Sequence, residues 1–392
     1  MAEPFSQTLI SFEDAHVLVI DDDIENYHLL KHILANGGIE SCAYSATIDD
    51  AFTALETQLP HIILLDIMMP DISGFDFCAQ IKRSSVFSHI PVIFISALKG
   101  ADIRAKAFSL GGVDYLQKPY DKDEVLARIK VHLQNGLLLE NLATQANVMQ
   151  AEMELGARVQ RSLLPDPVKI TALSQKHGFE LASAFAPCGT LAGDFWQLLE
   201  VSDNTFAIAV CDYSGHGVAS ALETARFHSL LYELKPLWQT PEKFFAALNK
   251  RMYAMLPPEI FATFSYVLVN TKTREARYLN AGGPPLFRFT SSGAPEVYKI
   301  PAPPLGALPH WPDKTATEIT LQGGDGLLLC SDALSELHLK APDHTPLDEQ
   351  NLAALNSPPL DAESIKETLL TAFNAAPPKA RNDDLTLLSI VF

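Results

Sequence analysis

Four short, unbroken apolar runs, each followed by particular polar residues, constrain the first third of this chain more than any other feature. His16-Val17-Leu18-Val19-Ile20 runs into Asp21, Asp22 and Asp23, and Ile62-Ile63-Leu64-Leu65 runs into Asp66. Val92-Ile93-Phe94-Ile95 runs into Ser96, and Tyr115-Leu116 is followed two residues on by Lys118. Runs this short, with no polar alternation, suit strands buried on both faces of a parallel sheet. Helix-like stretches at 25–36, 48–58, 74–83 and 101–109 separate them. Repeated strand–helix units predict a doubly wound α/β domain over residues 16–132.

In such a sheet the strand ends converge on one edge, where open α/β folds hold their ligands. Carboxylates gathered there repel one another unless a divalent cation neutralises them, and hard oxygen donors suit Mg²⁺. Lys118 adds a compact positive charge fit for a phosphoryl group.

Beyond this region the pattern changes twice. Residues 121–164 contain no Pro, and Leu139, Leu142, Ala146, Met149 and Met153 recur at helical spacing, with Gly156, Gln160 and Leu163 continuing the series. This predicts one long helix, about 60 Å at 1.5 Å per residue, pairing with a second helix or lying on its own domain. From Pro165 onward, short strands at 180–185, 205–210, 263–269, 275–279, 326–330 and 385–391 mix with helices at 218–234, 241–255 and 362–375. That mixture predicts an α+β domain. The expected organisation is therefore a tail at 1–15, an α/β domain at 16–132, a linker helix with coiled-coil character at 133–164, and a second domain at 165–392.

Composition narrows the function classes. With 392 residues, 47% hydrophobic and 19% charged, the chain has material for two or three packed cores and is not wholly disordered. Its net charge is −18 and it has no Lys/Arg block, which argues against nucleic acid and anionic membranes as partners. No apolar run nears the roughly 20 residues needed to cross a bilayer, and no export signal is visible at the start. Five cysteines, at 42, 78, 188, 211 and 330, are odd in number and far apart, fitting neither a disulfide framework nor a zinc knuckle. A soluble cytoplasmic protein is expected.

Residues 16–132 resemble the receiver domain of two-component response regulators. The matching strings are Val19-Ile20-Asp21-Asp22-Asp23, Leu65-Asp66-Ile67-Met68-Met69-Pro70 with Gly74 following, Ile95-Ser96-Ala97 and Asp114-Tyr115-Leu116-Gln117-Lys118-Pro119. The resemblance implies a flavodoxin-like fold in which Asp66 accepts a phosphoryl group from a cognate histidine kinase. It also implies that Asp22, Asp66 and the Met68 carbonyl bind Mg²⁺, with Asp21 acting through water. Ser96 and Lys118 would contact the acyl phosphate, and Tyr115 would be the switch aromatic.

The second domain carries aspartates beside small residues at strand ends. Such carboxylates, without a Cys/His set, form oxygen-rich sites that select Mg²⁺ or Mn²⁺ over zinc. Here the chain resembles the PPM family of metal-dependent Ser/Thr protein phosphatases, in the bacterial branch typified by RsbU and the sporulation phosphatase. The strings are Ala157-Arg158-Val159-Gln160-Arg161-Ser162-Leu163-Leu164-Pro165, Ala192-Gly193-Asp194-Phe195-Trp196, Asp212-Tyr213-Ser214-Gly215-His216-Gly217, Pro304-Leu305-Gly306, Ser331-Asp332-Ala333-Leu334-Ser335-Glu336 and Asp383-Asp384-Leu385-Thr386-Leu387. By resemblance the fold is a β-sandwich flanked by helices, holding two Mn²⁺ or Mg²⁺. Asp212 would bridge them, the Tyr213 carbonyl would bind one, Asp332 and Asp383 would complete the other, and Asp194 would act directly or through water. Three positions depart from the family pattern: Ala333 where Gly is usual, Gln197 where Asp is frequent, and Ala281-Gly282-Gly283-Pro284-Pro285 where a His is usual.

These resemblances imply a response regulator whose output is a phosphoserine/phosphothreonine phosphatase. Its substrate would be a phosphorylated anti-sigma-factor antagonist, and a homodimer would form through the linker helix. The alternative is a phosphatase-like adaptor that binds a sigma factor or anti-sigma protein without catalysis.

Overall fold

The computed structural model describes residues 14–70, 72–215, 217–257, 259–290, 295–335, 337 and 361–392. His216, Glu336 and all but the last two residues of the 1–15 tail lie outside the described residues. The chain divides into two compact units, Met1–Met149 and Gln150–Phe392.

The first unit alternates β1 (His16–Ile20), α1 (Ile24–Asn36), β2 (Ser41–Ser45), α2 (Ile48–Thr57), β3 (Ile62–Asp66), α3 (Gly74–Arg83), β4 (Val92–Ser96), α4 (Ala101–Ser109) and β5 (Asp114–Gln117). All strand pairings are parallel, in the order β2-β1-β3-β4-β5. The three central strands β1, β3 and β4 are buried along their whole length, because helices cover both faces. Sequence reasoning did not find β2, since an edge strand reading Ser-Cys-Ala-Tyr-Ser is only half buried and carries no apolar run. Order reverses between β1 and β3, and this switch point leaves the crevice into which Asp21 and Asp66 project.

Helix α5 runs unbroken from Lys122 to Ser162, 41 residues. Along it Leu139, Leu142 and Met149 are each more than half exposed. The last part of the expected seam behaves differently. Gln160 and Ala157 are buried within the second unit, and Gly156 faces Leu191 there. These small and polar residues pack against their own chain, so they do not extend the exposed stripe.

The second unit continues with α6 (Pro167–His177), β6 (Glu180–Ala186), β7 (Asp194–Ser202), β8 (Thr205–Tyr213), α7 (Val218–Glu233), α8 (Pro241–Met255), β9 (Ala262–Asn270), β10 (Glu275–Ala281), β11 (Leu286–Phe289), β12 (Glu296–Tyr298), β13 (Thr317–Thr320), β14 (Gly326–Cys330), α9 (Asp332–Ser335), α10 (Ala362–Ala375) and β15 (Leu385–Val391). Two antiparallel five-stranded sheets, β13-β10-β9-β8-β7 and β12-β11-β14-β15-β6, stack as a sandwich. Between them lie Trp196, Leu198, Ile208, Val210, Leu329 and Leu388. Helices α7 and α8 cover the outer face of the first sheet, and α9 and α10 that of the second.

Helix α6 and strands β7, β11, β12 and β13 were not among the expected elements. Strand β8 also runs on to Tyr213, three residues past its expected end. Asp212 therefore lies inside a strand, where its neighbour in the ladder is fixed by register.

Candidate functional site

In the first unit, strand ends gather Asp21, Asp22 and Asp66, whose candidate ligand oxygens all lie within 4.8 Å of one another. Asp21 and Asp66 are buried and Asp22 is exposed, so the group opens to solvent on one side. Lys118 reaches across from the end of β5 and donates to Asp21 Oδ2 at 2.7 Å and to Asp66 Oδ2 at 2.5 Å. Burial alone would depress the lysine, but hydrogen bonds to these two carboxylates hold it charged, above its ordinary value. Asp66 Oδ1 accepts the Met68 N–H at 3.0 Å, and Asp21 Oδ1 accepts from Asn26 Nδ2 at 2.9 Å and the Asp23 N–H at 3.0 Å. Ser96 is fully buried at the end of the neighbouring strand, its hydroxyl accepting the Leu98 N–H at 3.2 Å. Tyr115 is turned inward and donates to the Leu98 carbonyl at 2.6 Å. Apart from Tyr115, which pairs with Phe94 inside the ladder, the residues that the sequence singled out here stand at one edge of one sheet or just beyond it.

The second site follows from strand alternation. On β7 and β8 the side chains of Trp196, Leu198, Ile208 and Val210 face the opposing sheet. The same parity carries Asp194 and Asp212 to that side. They are directly paired in the β7–β8 register. In the other sheet Leu329, Leu388 and Ile390 face inward, and parity adds Ser331, Thr386 and Asp384. At this end of the sandwich the apolar filling thus gives way to carboxylates and hydroxyls.

Asp194 is 1% exposed, and neither oxygen has a hydrogen-bond partner of good geometry, although the Ser331 and Thr386 hydroxyls lie nearby. Burial, followed by the charge of Asp212, pushes Asp194 well above the usual carboxylate range. Burial, then Asp332 and Asp383, pushes Asp212 up to about 8. An orphaned buried carboxylate beside a second one, with two more acting on it, is a donor set that suits hard divalent cations. The spacing is wider than at the first site: among the described residues no three carboxylates of the second unit bring ligand oxygens within 4.8 Å of one another.

Asp384, which the sequence left without a role, ties the two sheets together. Its Oδ1 accepts the Cys188 N–H at 2.7 Å and its Oδ2 the Gly193 N–H at 2.6 Å, closing the β6–β7 loop. Ser331 joins the ends of β14 and β15, donating to the Asp384 carbonyl at 3.1 Å and accepting the Thr386 N–H at 2.9 Å. Asp332 and Asp383 flank this junction in sequence, and both act on Asp212. Gly193 has no room for a side chain: a Cβ there would lie 2.8 Å from the Gly215 carbonyl and 3.1 Å from that of Tyr213. The signal for Asp384 was its adjacency to Asp383, which motif reasoning treats as one acidic pair.

The departures from pattern have structural explanations. Gln197 Nε2 donates to the Leu163 carbonyl, anchoring β7 to the segment after α5. Asn280 organises the loop after β10, accepting the Gly283 N–H at 2.8 Å and donating to the Pro284 carbonyl at 2.6 Å. Ala333 lies in α9, and Arg274 is the sole non-glycine residue with positive φ among the described residues, so no glycine is required at 333.

Fold and sites together define a two-module signalling protein, a receiver joined to a PP2C-type phosphatase fold. The family model of the response regulator receiver domain matches residues 17–130, and that of stage II sporulation protein E (SpoIIE) matches 202–392. The chain belongs to the response-regulator family and carries a SpoIIE/PP2C-type domain after its receiver. It is similar to protein PilG of Pseudomonas aeruginosa, 38% identical over 119 residues, 30% of this chain and 86% of PilG. It is also similar to the response regulator PleD of Caulobacter vibrioides, 37% identical over 131 residues, but those cover 33% of this chain and only 28% of PleD. Among solved structures it resembles the SiaA-PP2C domain of Pseudomonas aeruginosa, with a TM-score of 0.50 and 20% identity over 64% of this chain and 99% of that one. That likeness concerns the fold. No described helix is long and apolar enough to cross a membrane.

Proposed function

We propose that the chain is a cytoplasmic response regulator in which phosphorylation of Asp66 by a histidine kinase controls a metal-dependent phosphoserine/phosphothreonine protein phosphatase. The proposed division is a receiver at 16–132, a linker helix at 133–164 and a phosphatase domain at 165–392. A phosphorylated anti-sigma-factor antagonist is the proposed substrate, and its dephosphorylation would let it sequester an anti-sigma factor.

The receiver residues support phosphoryl transfer. A phosphoryl group passing from a kinase histidine to an Asp66 oxygen breaks an N–P bond and forms an O–P bond. Lys118, already bonded to Asp66, would follow the added charge, and the Ser96 hydroxyl stands ready at the adjacent strand end. Asp21, Asp22, Asp66 and the Met68 carbonyl would hold one Mg²⁺.

In the second domain Asp194, Asp212, Asp332, Asp383 and the Tyr213 carbonyl would hold two Mn²⁺ or Mg²⁺. Divalent ions there would supply Lewis-acid neutralisation of phosphate charge. The carboxylates bind and orient them, while the packed sheets exclude bulk water from one side. The observation that carries this reading is Asp194, buried opposite Asp212 with no hydrogen-bond partner of good geometry.

Dimerisation through α5 is part of the proposal, supported by the exposed Leu139, Leu142 and Met149. The deciding experiment incubates the full chain with phosphorylated candidate antagonists, with and without Mn²⁺ and an acyl-phosphate donor. Mn²⁺-dependent phosphate release that disappears in Asp212→Ala supports the reading. Unchanged release in Asp212→Ala refutes it.

A further inference from the structure

Gln160 sits near the C-terminal end of α5 and is 5% exposed, unusual for a polar side chain on a helix that is mostly solvent-facing. Its amide is fully used. Oε1 accepts the Ala192 N–H at 3.0 Å, and Nε2 donates to the Ala192 carbonyl at 2.6 Å. The second Nε2 hydrogen goes to Thr224 Oγ1 on α7 at 3.1 Å, and that hydroxyl donates onward to the Ala221 carbonyl at 2.8 Å. A single amide thus grips both backbone groups of Ala192 as a strand would, and pins α7 as well.

What lies beyond Ala192 gives this grip its meaning. Gly193 donates to Asp384, its carbonyl accepts the Tyr213 N–H at 3.3 Å, and the next residue is Asp194. Helix α7, the third arm, begins at Val218, six residues after Asp212. Ala157, Leu191 and Ala221 form a small apolar cluster around the same junction. The helix is therefore joined to both segments that carry the paired carboxylates, through one buried side chain that no charge-based motif reasoning would choose.

We propose that Gln160 is a positioning residue for the phosphatase site, fixing the Ala192–Asp194 segment against α7, so that movement of the end of α5 alters the metal-binding carboxylates. This rests on the reading of those carboxylates as a divalent-metal site. It assigns the coupling element within the second unit: a bidentate amide clamp whose two states are engaged and released.

The test uses the full chain and Mn²⁺ alone, titrated by calorimetry, with Asp212→Ala as the zero for second-unit binding. Gln160→Met keeps the volume and removes all three hydrogen bonds. Gln160→Glu keeps the acceptor for the Ala192 N–H and removes the donors. Second-unit Mn²⁺ affinity is expected to fall at least tenfold in Gln160→Met and by an intermediate factor in Gln160→Glu. In phosphoprotein assays the Mn²⁺ concentration for half-maximal rate should rise with kcat largely recovered at saturation. Should Gln160→Met not fold, Gln160→Glu alone decides, because half of its clamp remains. Lowered melting temperature with unchanged Mn²⁺ affinity would mean Gln160 serves stability only, and would overturn the proposal. Wild type binding no more Mn²⁺ than Asp212→Ala would instead overturn the metal-site reading, and the clamp's role with it.

Discussion

Asp194 and Asp212 stand directly opposite each other on adjacent antiparallel strands, on the face that meets the other sheet. Cross-strand partners bring their Cβ atoms to about 4.5–5.5 Å, a distance at which like charges destabilise a sheet. The arrangement costs stability in the metal-free chain and becomes useful only when positive charge is supplied.

Asp194→Asn is accordingly expected to raise the melting temperature of the metal-free second unit while abolishing its stabilisation by Mn²⁺. Removing a buried carboxyl that lacks a well-aligned partner is worth about 1–3 kcal/mol, and each kcal/mol shifts a unit of this size by about 2–4 °C. Thermal scans of both proteins with and without Mn²⁺ measure this, and a mutant that still gains stability from Mn²⁺ contradicts it.

Asp384→Ala should act in the opposite sense. It strands the buried Gly193 N–H and removes the acceptor of the exposed Cys188 N–H, so the second unit should lose about 1–3 kcal/mol. Asp384→Asn keeps only one acceptor oxygen and should lose roughly half of that. Urea unfolding of the two variants provides the comparison.

At the receiver edge, Asp66→Asn should abolish incorporation of phosphate from a radiolabelled acyl-phosphate donor. Lys118→Met should lower the incorporated fraction at least tenfold, because Asp21 and Asp66 lose the cation they share. Incorporation in Asp66→Asn equal to wild type would place the acceptor elsewhere.

Acid sensitivity of the first unit should involve Asp114. Burial favours its neutral form, but Arg128, the Tyr115 N–H and His132 bond to the carboxylate and the net effect lowers it below 3.8. A depressed carboxylate adds stability above its unfolded value, and this is lost as pH falls through the lower, folded one. Arg128→Ala should therefore remove about 1 kcal/mol at pH 7 and progressively less below pH 4. Denaturant midpoints from pH 7 to 3 report the difference, and an equal loss at both ends would count against it.

Leu139→Asp with Leu142→Asp should lower the self-association of the chain at least tenfold in sedimentation equilibrium, since both side chains are exposed on α5. A mass unchanged from wild type would separate the exposed stripe from dimerisation.

The receiver was almost wholly legible because its chemistry sits where apolar runs stop. A buried parallel strand must be apolar throughout, so the polar residue after it marks the sheet edge, as at Asp66 and Ser96. Edge strand β2 escaped because half-burial leaves no such run. In the second unit Asp194 and Asp212 were both recognisable as candidate site residues, but their pairing was not. Pairing with Asp194 depends on the β7–β8 register, and β7 went unseen.

The sequence by itself determined the two classes of domain, the long helix between them and the identity of the acidic residues, because burial period and motif are local properties. Only the tertiary structure decided which carboxylates face each other, that Asp384 closes the β6–β7 loop, and that Gln160 turns inward to hold Ala192. Those relationships join residues 18 to 196 positions apart. They depend on strand register and sheet stacking, which the packing of the whole unit sets.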